Sequence, residues 1–317
     1  MGVVAVVTGV SRYLGGKAAA QLVDQPGIDR VIGVDVVPPS EPVACEFVRV
    51  DVRNQGLGDV LEKSGADTLV HMGVIATPRQ AGGRSVMKDI NVIGTMQLLA
   101  ACQRAPSLRH LVVKSTAAVY GSGPKDPALI SEDTPPRHPP TSGWAKDSVE
   151  VEEYVRGFAR RRPDVRVCTL RFANIIGPGI RTGMTSYLTM PVVPTVLGFD
   201  PRLQFVHEDD ALEVTRRAVL QRMAGTFNVA GAGVVVLSQA LSRVGRPTLP
   251  LPASLVPVVG RTLARGSWAD FSRDQLRYLT YGRALDTQLI EQELGVRSSY
   301  SSRQALESFA KAAQRDG

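Results

Sequence analysis

The stretch PPTSGWAKD, from Pro139 to Asp147, contains a serine and a lysine at a helical spacing. Ser142 and Lys146 are one helical turn apart, so a helix that begins here would carry both side chains on one face. A hydroxyl and an ammonium group on one face can orient a polar ligand. Because an aliphatic hydroxyl is a far poorer proton donor than a phenol, the pair predicts positioning rather than acid catalysis. The alternative for Lys146 is a solvated lysine at a helix entrance.

A glycine-containing loop follows the first apolar run of the chain, in the stretch VVTGVSRYLGG that ends at Gly16. Gly9 permits a tight turn, and Gly15 allows the N-terminus of the next helix to approach a phosphate group closely. A loop of this kind between a buried strand and a helix predicts a site for the pyrophosphate of a dinucleotide.

Short apolar runs alternate with helical patterns through the first half of the chain, and these elements must position the polar groups. The apolar runs lie at 3–7, 31–34, 46–50, 68–72, 110–114 and 165–170, and the helical patterns lie at 14–24, 85–105 and 147–162. Continuous apolar strands between helices are typical of a parallel sheet that is covered on both faces. We therefore predict a doubly wound α/β fold of the Rossmann type, which binds ligands beyond the carboxyl ends of its strands.

The alternation ends near Gly177, after which prolines and glycines become frequent. We predict a dinucleotide-binding domain over residues 1–177 and a smaller, mainly substrate-binding lobe over residues 178–317. Within the lobe, residues 203–231 include an apolar run near 225–231, and this segment is predicted to return to the sheet of the first domain.

Composition and charge narrow the classes of partner. The 317 residues are 44% hydrophobic and 21% charged, with a formal net charge of +7. The densest arginine run, Arg160 to Arg162, falls at the end of a predicted helix, where cations are favourable, so we expect no nucleic-acid partner. The most apolar later stretch is interrupted by prolines and Arg261, so we expect no membrane span. Three widely separated cysteines favour a reducing cytoplasm and predict neither a disulfide framework nor a metal site.

The motifs together resemble the short-chain dehydrogenase/reductase superfamily, in particular its extended branch, which includes nucleotide-sugar epimerases and dehydratases. The resemblance is carried by TGVSRYLGG in the loop, KSTAAVYG (114–121), LRFANIIGPG (170–179) and DTQLIEQELG (286–295). The chain departs from the family pattern in two places. The loop has Arg12 and Tyr13 where family members have their central glycine, and Ser142 stands where they have the tyrosine of a Tyr-x-x-x-Lys motif.

The resemblance implies roles for the polar residues. Lys146 would bind the nicotinamide ribose, Thr116 would contact a substrate carbonyl, and Ser142 would orient the substrate, so these three are the candidate catalytic residues. The implied substrate site is Val74, Thr116, Ser142 and Asn174. The implied cofactor site, in addition to Lys146, is Gly9, Ser11, Arg12, Tyr13, Leu14, Gly15, Asp35, Asp51, Val52, Met72, Gly73 and Ala173.

Two further polar residues have two interpretations each. His71, in the stretch HMG, resembles the family turn beside the ribose, but it could also be a buried histidine at a strand end. Asn91 resembles the family asparagine, but it could also be a helix-kink asparagine that bonds to the backbone.

Two residues of opposite charge bear on whether the cofactor is NAD(H) or NADP(H), which differ by a 2′-phosphate. An acid such as Asp35 at the end of the second strand normally holds the adenosine ribose hydroxyls and favours NAD. In the resemblance, Arg12 lies where related reductases have an arginine that faces the 2′-phosphate, and a guanidinium suits that group. We expect NADP(H).

The missing tyrosine leaves the source of the proton open. A substrate whose reduced form is a phenolate needs less acid help, and a neighbouring hydroxyl of that substrate could supply the proton. Solvent or His138 is a second source. The third interpretation is that the chain binds NADP(H) without catalysis, as a redox sensor.

Two later motifs bear on the substrate. In sugar-nucleotide enzymes of the branch, an arginine grips the substrate diphosphate, and Leu203 occupies that position here. Arg202 is adjacent, but neighbouring side chains of an extended segment point to opposite faces. Residues 182–199 contain no charged residue, so they could wall an apolar pocket or form ordinary lobe core.

The pattern is most similar to tyrosine-less ketoreductases of the branch that act on angucyclinones, which implies a large aromatic polyketide ketone as substrate. We therefore predict an NADPH-dependent ketoreductase with a small-molecule substrate. A nucleotide-sugar epimerase or dehydratase and a non-catalytic redox sensor are the alternatives.

Overall fold

The computed structural model describes residues 2–39, 42–75, 82–263, 271–295 and 297–315. The strands are β1 (Val3–Thr8), β2 (Ile28–Asp35), β3 (Glu46–Arg49), β4 (Thr68–His71), β5 (His110–Thr116), β6 (Arg166–Phe172), β7 (Asn174–Ile176), β8 (Val193–Val196), β9 (Arg202–Leu203), β10 (Phe205–His207), β11 (Gly225–Val229), β12 (Val235–Val236) and β13 (Thr248–Leu251).

The helices are α1 (Tyr13–Val23), α2 (Gly56–Ser64), α3 (Arg84–Lys88), α4 (Gly94–Arg104), α5 (Gly143–Arg161), α6 (Gly183–Leu188), α7 (Glu208–Leu220), α8 (Leu237–Val244), α9 (Val256–Leu263), α10 (Arg273–Tyr281), α11 (Gln288–Leu294) and α12 (Ser302–Arg315). A π-helical turn (Asp89–Ile93) joins α3 to α4, and a 3₁₀ turn (Ala117–Tyr120) follows β5. Among the described residues, none of these helices combines the length and apolar character that a membrane crossing requires.

The chain forms two compact units, each assembled from three segments. Unit 1 consists of Met1–Ser115, Asp147–Arg171 and Leu212–Phe227, and unit 2 consists of Thr116–Lys146, Phe172–Ala211 and Asn228–Gly317. The boundary at residue 177 that the sequence suggested differs from this division, because the chain enters unit 2 three times, at the ends of β5, β6 and β11. The strand β11 lies in the sheet beside β6, whereas β9 and β10 pair with other strands.

Unit 1 is built on a seven-stranded sheet with the order β11-β6-β5-β4-β1-β2-β3. Strand β1 pairs in parallel with both β2 and β4, so the strand order reverses beside β1. This reversal defines a doubly wound sheet, in which ligands bind at the carboxyl ends of the strands next to the reversal. The predicted α/β fold is confirmed, and the glycine loop follows the strand at the reversal.

The core of unit 1 explains why its strands read as continuous apolar runs. Val6, Ile32, Leu69 and Leu111 come from four neighbouring strands and are each at most 1% exposed. Together with apolar side chains of the covering helices, they form one hydrophobic cluster. Side chains on both faces of such a sheet are buried, so a polar residue within these strands is unusual and needs a partner.

Helix α5 begins at Gly143, four residues before the predicted start at Asp147. The backbone N–H groups of Thr141 and Ser142 donate to Asp274 Oδ2, at 3.1 and 2.7 Å, which stabilises an earlier helix entrance. The sequence could not indicate this, because Asp274 is distant in the chain. Lys146 therefore lies within the first turn of α5.

The predicted helix at 85–105 is interrupted, because the five-residue π-helical turn separates α3 from α4. Asn91 lies in this turn, where its side chain donates to the carbonyl of Ile75 and accepts from the N–H of Ile75, both at 2.8 Å. Of the two interpretations of Asn91, the structure therefore supports the one in which its side chain bonds to the backbone.

Unit 2 has its own hydrophobic core, which includes Met184, Tyr187, Leu188, Val193 and Val196. All five belong to the uncharged segment 182–199, so these side chains are lobe core rather than the wall of an apolar pocket. The segment also contains the exposed residues Leu197 and Phe199.

A buried ionic network joins α5 to the sheet within unit 1. Glu152 is 4% exposed. It accepts a hydrogen bond from Ser115 Oγ at 2.5 Å and two from Arg171, whose Nη2 lies 2.7 Å from Glu152 Oε2. The Arg171 side chain is 13% exposed, so the loss of Glu152 would leave a mostly buried cation without its main partner.

We predict that Glu152→Ala lowers the free energy of unfolding by about 3–5 kcal/mol, because it breaks a buried ion pair from one side. Urea denaturation would measure the change. Glu153→Ala is the matched control, since Glu153 is exposed on the same helix and its removal should cost no more than about 0.5 kcal/mol. Equal effects of the two substitutions would contradict the structural role of Glu152.

Candidate cofactor-binding and substrate-binding sites

The glycine loop of unit 1 is packed too tightly for larger residues at two positions. Gly9 has a φ of +79°, and a Cβ on it would lie 2.8 Å from the Cα of Gly73. A Cβ on Gly15 would lie 2.1 Å from the carbonyl oxygen of Gly9. The loop leads directly into α1, and among the described residues the side chain of Arg12, the N-cap residue, makes no capping hydrogen bond. This arrangement fits a dinucleotide pyrophosphate, which binds to backbone N–H groups at a helix N-terminus.

Asp35 and Arg12 lie close together at the carboxyl end of β2. Asp35 accepts hydrogen bonds from the N–H of Ser11 at 3.0 Å and of Val36 at 2.7 Å, and Ser11 Oγ donates to the carbonyl of Val37. Burial lowers the pKa of the Arg12 guanidinium, while the nearby charge of Asp35 raises it. Asp35, which is predicted to favour NAD, and Arg12, which is predicted to favour NADP, therefore lie near each other.

Asp51 and Val52 follow β3. Arg53 donates to Asp51 through Nε and Nη2, at 2.9 and 2.6 Å, and these bonds lower the pKa of Asp51. A Cβ on Gly94 would lie 3.2 Å from Val52, which places this valine against the start of α4. Their contact with the adenine remains a prediction.

His71 is a buried histidine that joins two threonines. Thr8 Oγ1 lies 2.8 Å from His71 Nδ1, and Thr95 Oγ1 lies 3.0 Å from His71 Nε2. Burial, followed by the charge of Lys114, lowers the pKa of His71 to about 4, so the ring is neutral at neutral pH. Its neighbours Met72 and Gly73 form the turn that approaches Gly9, with Met72 buried.

The first turn of α1 carries Tyr13 and Leu14. Tyr13 is 43% exposed, and the ammonium group of Lys17 lies 5.8 Å from the centroid of its ring. This pair is the literal Tyr-x-x-x-Lys match in the described chain, and it lies on the surface of α1. The motif match is therefore coincidental with respect to the proton chemistry.

Lys114 is a residue of unit 1 that sequence reasoning missed. It is half-buried near the end of β5, and its Nζ donates to the carbonyl of Val74 at 3.3 Å. Burial, followed by the charge of Arg12, lowers the pKa of Lys114 to about 8. The sequence signal for Lys114 was a charged residue near the end of an apolar strand. The family resemblance of the surrounding motif assigns a role to Thr116 and none to Lys114.

In unit 2, Ser142 is held by a carboxylate. The Ser142 hydroxyl donates to Asp274 Oδ2 at 2.7 Å, and the same oxygen accepts from two backbone N–H groups of this segment. The N–H of Lys146 donates to the carbonyl of Ser142 at 3.3 Å, so the predicted one-turn spacing is present. Lys146 itself is exposed. The hydroxyl of Ser142 is thus a donor to Asp274 and remains able to accept a proton from a ligand.

A polar cleft in unit 2 surrounds this serine. Asn174 Nδ2 donates to the hydroxyl of Tyr278 at 2.6 Å, and the guanidinium of Arg283 lies 4.9 Å from the Tyr278 ring centroid. Burial raises the pKa of Tyr278 to about 12, so this phenol is a poor proton donor near neutrality. The residues that line the cleft are Ala118, Gly121, Ser142, Trp144, Ala145, Asn174, Ser272, Asp274, Gln275, Tyr278 and Arg283.

Arg283 is a half-buried cation of unit 2 that the sequence analysis did not single out. Its Nη1 donates to the carbonyl of Gly121 at 2.7 Å and to Ser122 Oγ at 3.4 Å. Burial lowers the pKa of Arg283, which means that its charge lacks full solvation.

A second, smaller cavity of unit 2 contains Thr116 and Ala173. It shares Asn174, Tyr278 and Arg283 with the cleft. Thr116 Oγ1 accepts from the N–H of Ala118 at 3.1 Å and so caps the 3₁₀ turn. Within the described part of the chain the Thr116 hydroxyl only accepts, so its hydrogen can be donated to a ligand oxygen.

Two other candidates lie apart from the described cleft. The ring of His138 packs against Gly123, where an added Cβ would lie 1.9 Å from it, and His138 is outside the lining residues. Leu203 is fully buried in the core of unit 2, whereas Arg202 is exposed, as the alternation of an extended segment requires.

Comparisons with known proteins agree on the class of fold. A family model described as "NAD dependent epimerase/dehydratase family" matches residues 5–230. Uncharacterized protein Rv0501 of Mycobacterium tuberculosis (strain ATCC 25618 / H37Rv) is 42% identical over 311 residues, which cover 96% of this chain and 83% of that protein. UDP-glucose 4-epimerase 2 of Oryza sativa subsp. japonica is 31% identical over 191 residues, which cover 54% of this chain and 44% of that protein.

Solved structures share the architecture at low sequence identity. MoeE5 in complex with UDP-glucuronic acid and NAD is similar with a TM-score of 0.76 and 20% identity, covering 99% of this chain and 100% of that one. The dTDP-glucose 4,6-dehydratase of Bacillus anthracis, in complex with NAD, has a TM-score of 0.74 and 16% identity, covering 99% and 97%. The names of these four proteins include no polyketide ketoreductase, so the predicted similarity to angucyclinone ketoreductases has no support from them.

Proposed function

Because the chain belongs to the NAD dependent epimerase/dehydratase family, we propose that it is a dinucleotide-dependent oxidoreductase that acts on a sugar linked to a nucleoside diphosphate. The observation that carries this proposal is the polarity of the cleft in unit 2. Eight of its lining side chains have polar groups, namely Ser142, Trp144, Asn174, Ser272, Asp274, Gln275, Tyr278 and Arg283. A buried polar group needs a hydrogen-bond partner, so such a cleft suits a hydroxyl-rich ligand better than a polycyclic aromatic one.

The half-buried Arg283 supports the diphosphate part of the proposal. The family arginine is replaced by the buried Leu203, but Arg283 brings a guanidinium to the same cleft as Asn174. Guanidinium groups bind phosphate oxygens through paired hydrogen bonds. MoeE5, which shares this fold, was solved with UDP-glucuronic acid and NAD.

When bound, the dinucleotide supplies the group that accepts or donates the hydride. In the direction of alcohol oxidation, the hydroxyl hydrogen of the substrate passes to Ser142 Oγ, and the hydrogen of Ser142 passes to Asp274 Oδ2. The carbon–hydrogen bond of that alcohol breaks at the same time, and a carbonyl remains. The hydrogen bond of 2.7 Å between Ser142 and Asp274 is the route for this transfer. Thr116 orients the oxygen that reacts, and Lys146 retains its proposed place at the nicotinamide ribose.

The ketoreductase for an aromatic polyketide ketone remains the second candidate. Its support is the serine at position 142, because reduction to a phenolate requires less acid help than reduction to an alkoxide. The polar lining of the cleft counts against it, as does the core location of Met184, Tyr187, Leu188, Val193 and Val196 within the segment 182–199. The third candidate, a non-catalytic redox sensor, is supported by the absence of the family tyrosine at position 142.

The preference for NADP(H) is likewise a proposal, and it rests on Arg12. The nearby carboxylate of Asp35 opposes it, since that group raises the pKa of Arg12 by charge interaction and would repel a 2′-phosphate.

Turnover of nucleotide sugars tests the proposed function. We expect UDP-glucose, UDP-glucuronic acid or dTDP-glucose to be converted, and hydroxylated quinonoid ketones to be left unchanged. Nicotinamide absorbance would detect net oxidation or reduction, and chromatography of the sugar products would detect an isomerisation that leaves absorbance constant. Free glucose is the control for recognition of the diphosphate. Reduction of the ketones alone would establish the second candidate, and cofactor binding without any turnover would favour the sensor.

Paired substitutions test the proton route. Asp274→Asn keeps the acceptor for the backbone N–H groups but removes the carboxylate, so we expect kcat to fall about a hundredfold or more, with a similar fall for Ser142→Ala. Asp200→Asn is the control, because Asp200 accepts from the Ser238 hydroxyl at the same 2.7 Å elsewhere in unit 2. Losses below about tenfold for both cleft variants would indicate that the substrate supplies the proton.

Arg12→Ala tests the choice of cofactor. We expect it to weaken binding of NADPH by about tenfold more than binding of NADH, because it removes one charged partner of the 2′-phosphate. Fluorescence titration of both cofactors would measure the difference. Equal effects on the two would remove the argument for NADP(H).

A further inference from the structure

Two cations of unit 1 lie beside the glycine loop. Arg12 stands at the entrance of α1, inside the loop itself. Lys114 comes from β5, and its ammonium group reaches the carbonyl of Val74, directly after the turn that approaches Gly9. The two are close enough for the charge of Arg12 to lower the pKa of Lys114. They bring positive charge from two different elements to one edge of the sheet.

The negative charge at this edge of the sheet is smaller than the positive charge of Arg12 and Lys114. Asp35 interacts with Arg12, and its two oxygens also accept backbone N–H groups. Within the described parts of the chain, Lys114 has a single hydrogen bond, to the neutral carbonyl of Val74, and no carboxylate contributes to its pKa. His71, the other titratable group whose charge state responds to Lys114, is neutral near neutral pH. Among the described residues, the two cations therefore exceed the nearby carboxylate charge of Asp35 by one.

A lysine in this position is costly unless it has a ligand. Burial of an ammonium group is unfavourable without an anionic partner, and one carbonyl at 3.3 Å offsets little of that cost. An apolar residue in its place would extend the apolar run of β5. Groups with unfavourable charge states are frequent at functional sites, where a ligand completes the balance.

We propose that Lys114 binds the pyrophosphate of the dinucleotide, as a side-chain cation that acts together with the backbone N–H groups of the glycine loop. The oxygens of the pyrophosphate are negatively charged and accept hydrogen bonds. A lysine ammonium group is a compact positive charge that can donate such bonds. This role rests on the dinucleotide cofactor of the proposed function but not on the identity of its substrate. It adds a side-chain contact from β5 to a loop whose other contacts come from backbone groups.

Binding of ADP-ribose tests the proposal without any substrate, since this probe keeps the pyrophosphate and lacks the nicotinamide. Calorimetric titration of Lys114→Met should give a dissociation constant about ten to a hundred times that of the original chain, which is the loss expected for one charged hydrogen bond. Lys114→Arg keeps the charge and should stay within about threefold. Lys63→Met, in the last turn of α2, removes the same charge outside the loop and should change nothing.

The pH dependence of the same titration separates binding from a structural role. The ammonium form of Lys114 binds the anion, so affinity should be constant below its free pKa of about 8 and should fall as the pH rises through and above that value. Lys114→Arg and Lys114→Met should both lack this fall. Arg12 stays charged in this range, and His71, with a pKa of about 4, stays neutral.

Unchanged affinity of Lys114→Met for ADP-ribose would overturn the proposal, even if turnover of a substrate fell, because that result would assign Lys114 to the chemical step. A pH profile of the original chain that stays flat through pH 9 would overturn it as well, and this measurement needs no variant to fold. Failure of the nucleotide-sugar assay would leave these ADP-ribose results intact, so the two proposals fail separately.

Discussion

The carboxylate of Asp274 accepts the backbone N–H groups of Thr141 and Ser142 and the hydroxyl of Ser142. Helix α5 can begin at Gly143 because these donors already have an acceptor, and the positions of Ser142 and Lys146 follow from that beginning. The same three bonds turn the hydroxyl hydrogen of Ser142 towards a carboxylate rather than towards a ligand. A residue that stands in the place of a phenol is thereby converted from a possible donor into a possible acceptor of protons.

Charges buried in unit 1 have two different kinds of environment. Glu152 meets Arg171 and Ser115, so its charge and its lone pairs are matched within the folded chain. Lys114 meets one neutral carbonyl and lies near another cation. An ion pair such as Glu152–Arg171 contributes to a unique packing of helix and sheet. A cation without a carboxylate partner, such as Lys114, can instead bind an anionic ligand. This contrast within one sheet is the basis for proposing a binding site at the edge beside the glycine loop.

Much of the sheet was predictable because its physics is local. Each apolar run of the first half became a strand, and the need for glycine at positions 9 and 15 follows from close backbone approach. The missing parts depend on contacts between residues far apart in the chain. Asp274 and Arg283 reach the cleft from α10 and the segment after it, and no spacing in the sequence connects them with Ser142. Lys114 is visible in the sequence as a charged residue in an apolar run. Its proposed role depends on the proximity of Arg12, which exists only in the folded loop.

The interleaving of the two units has a consequence for how the protein is made and how it can be altered. Unit 1 needs residues 212–227 to be complete, so most of the chain must leave the ribosome before the first sheet can close. Unit 2 needs the C-terminal segment as well, which delays it further. Neither unit corresponds to one continuous stretch that could be exchanged as a cassette. Exchanging a whole unit with that of another protein would require three separate segments to be replaced together.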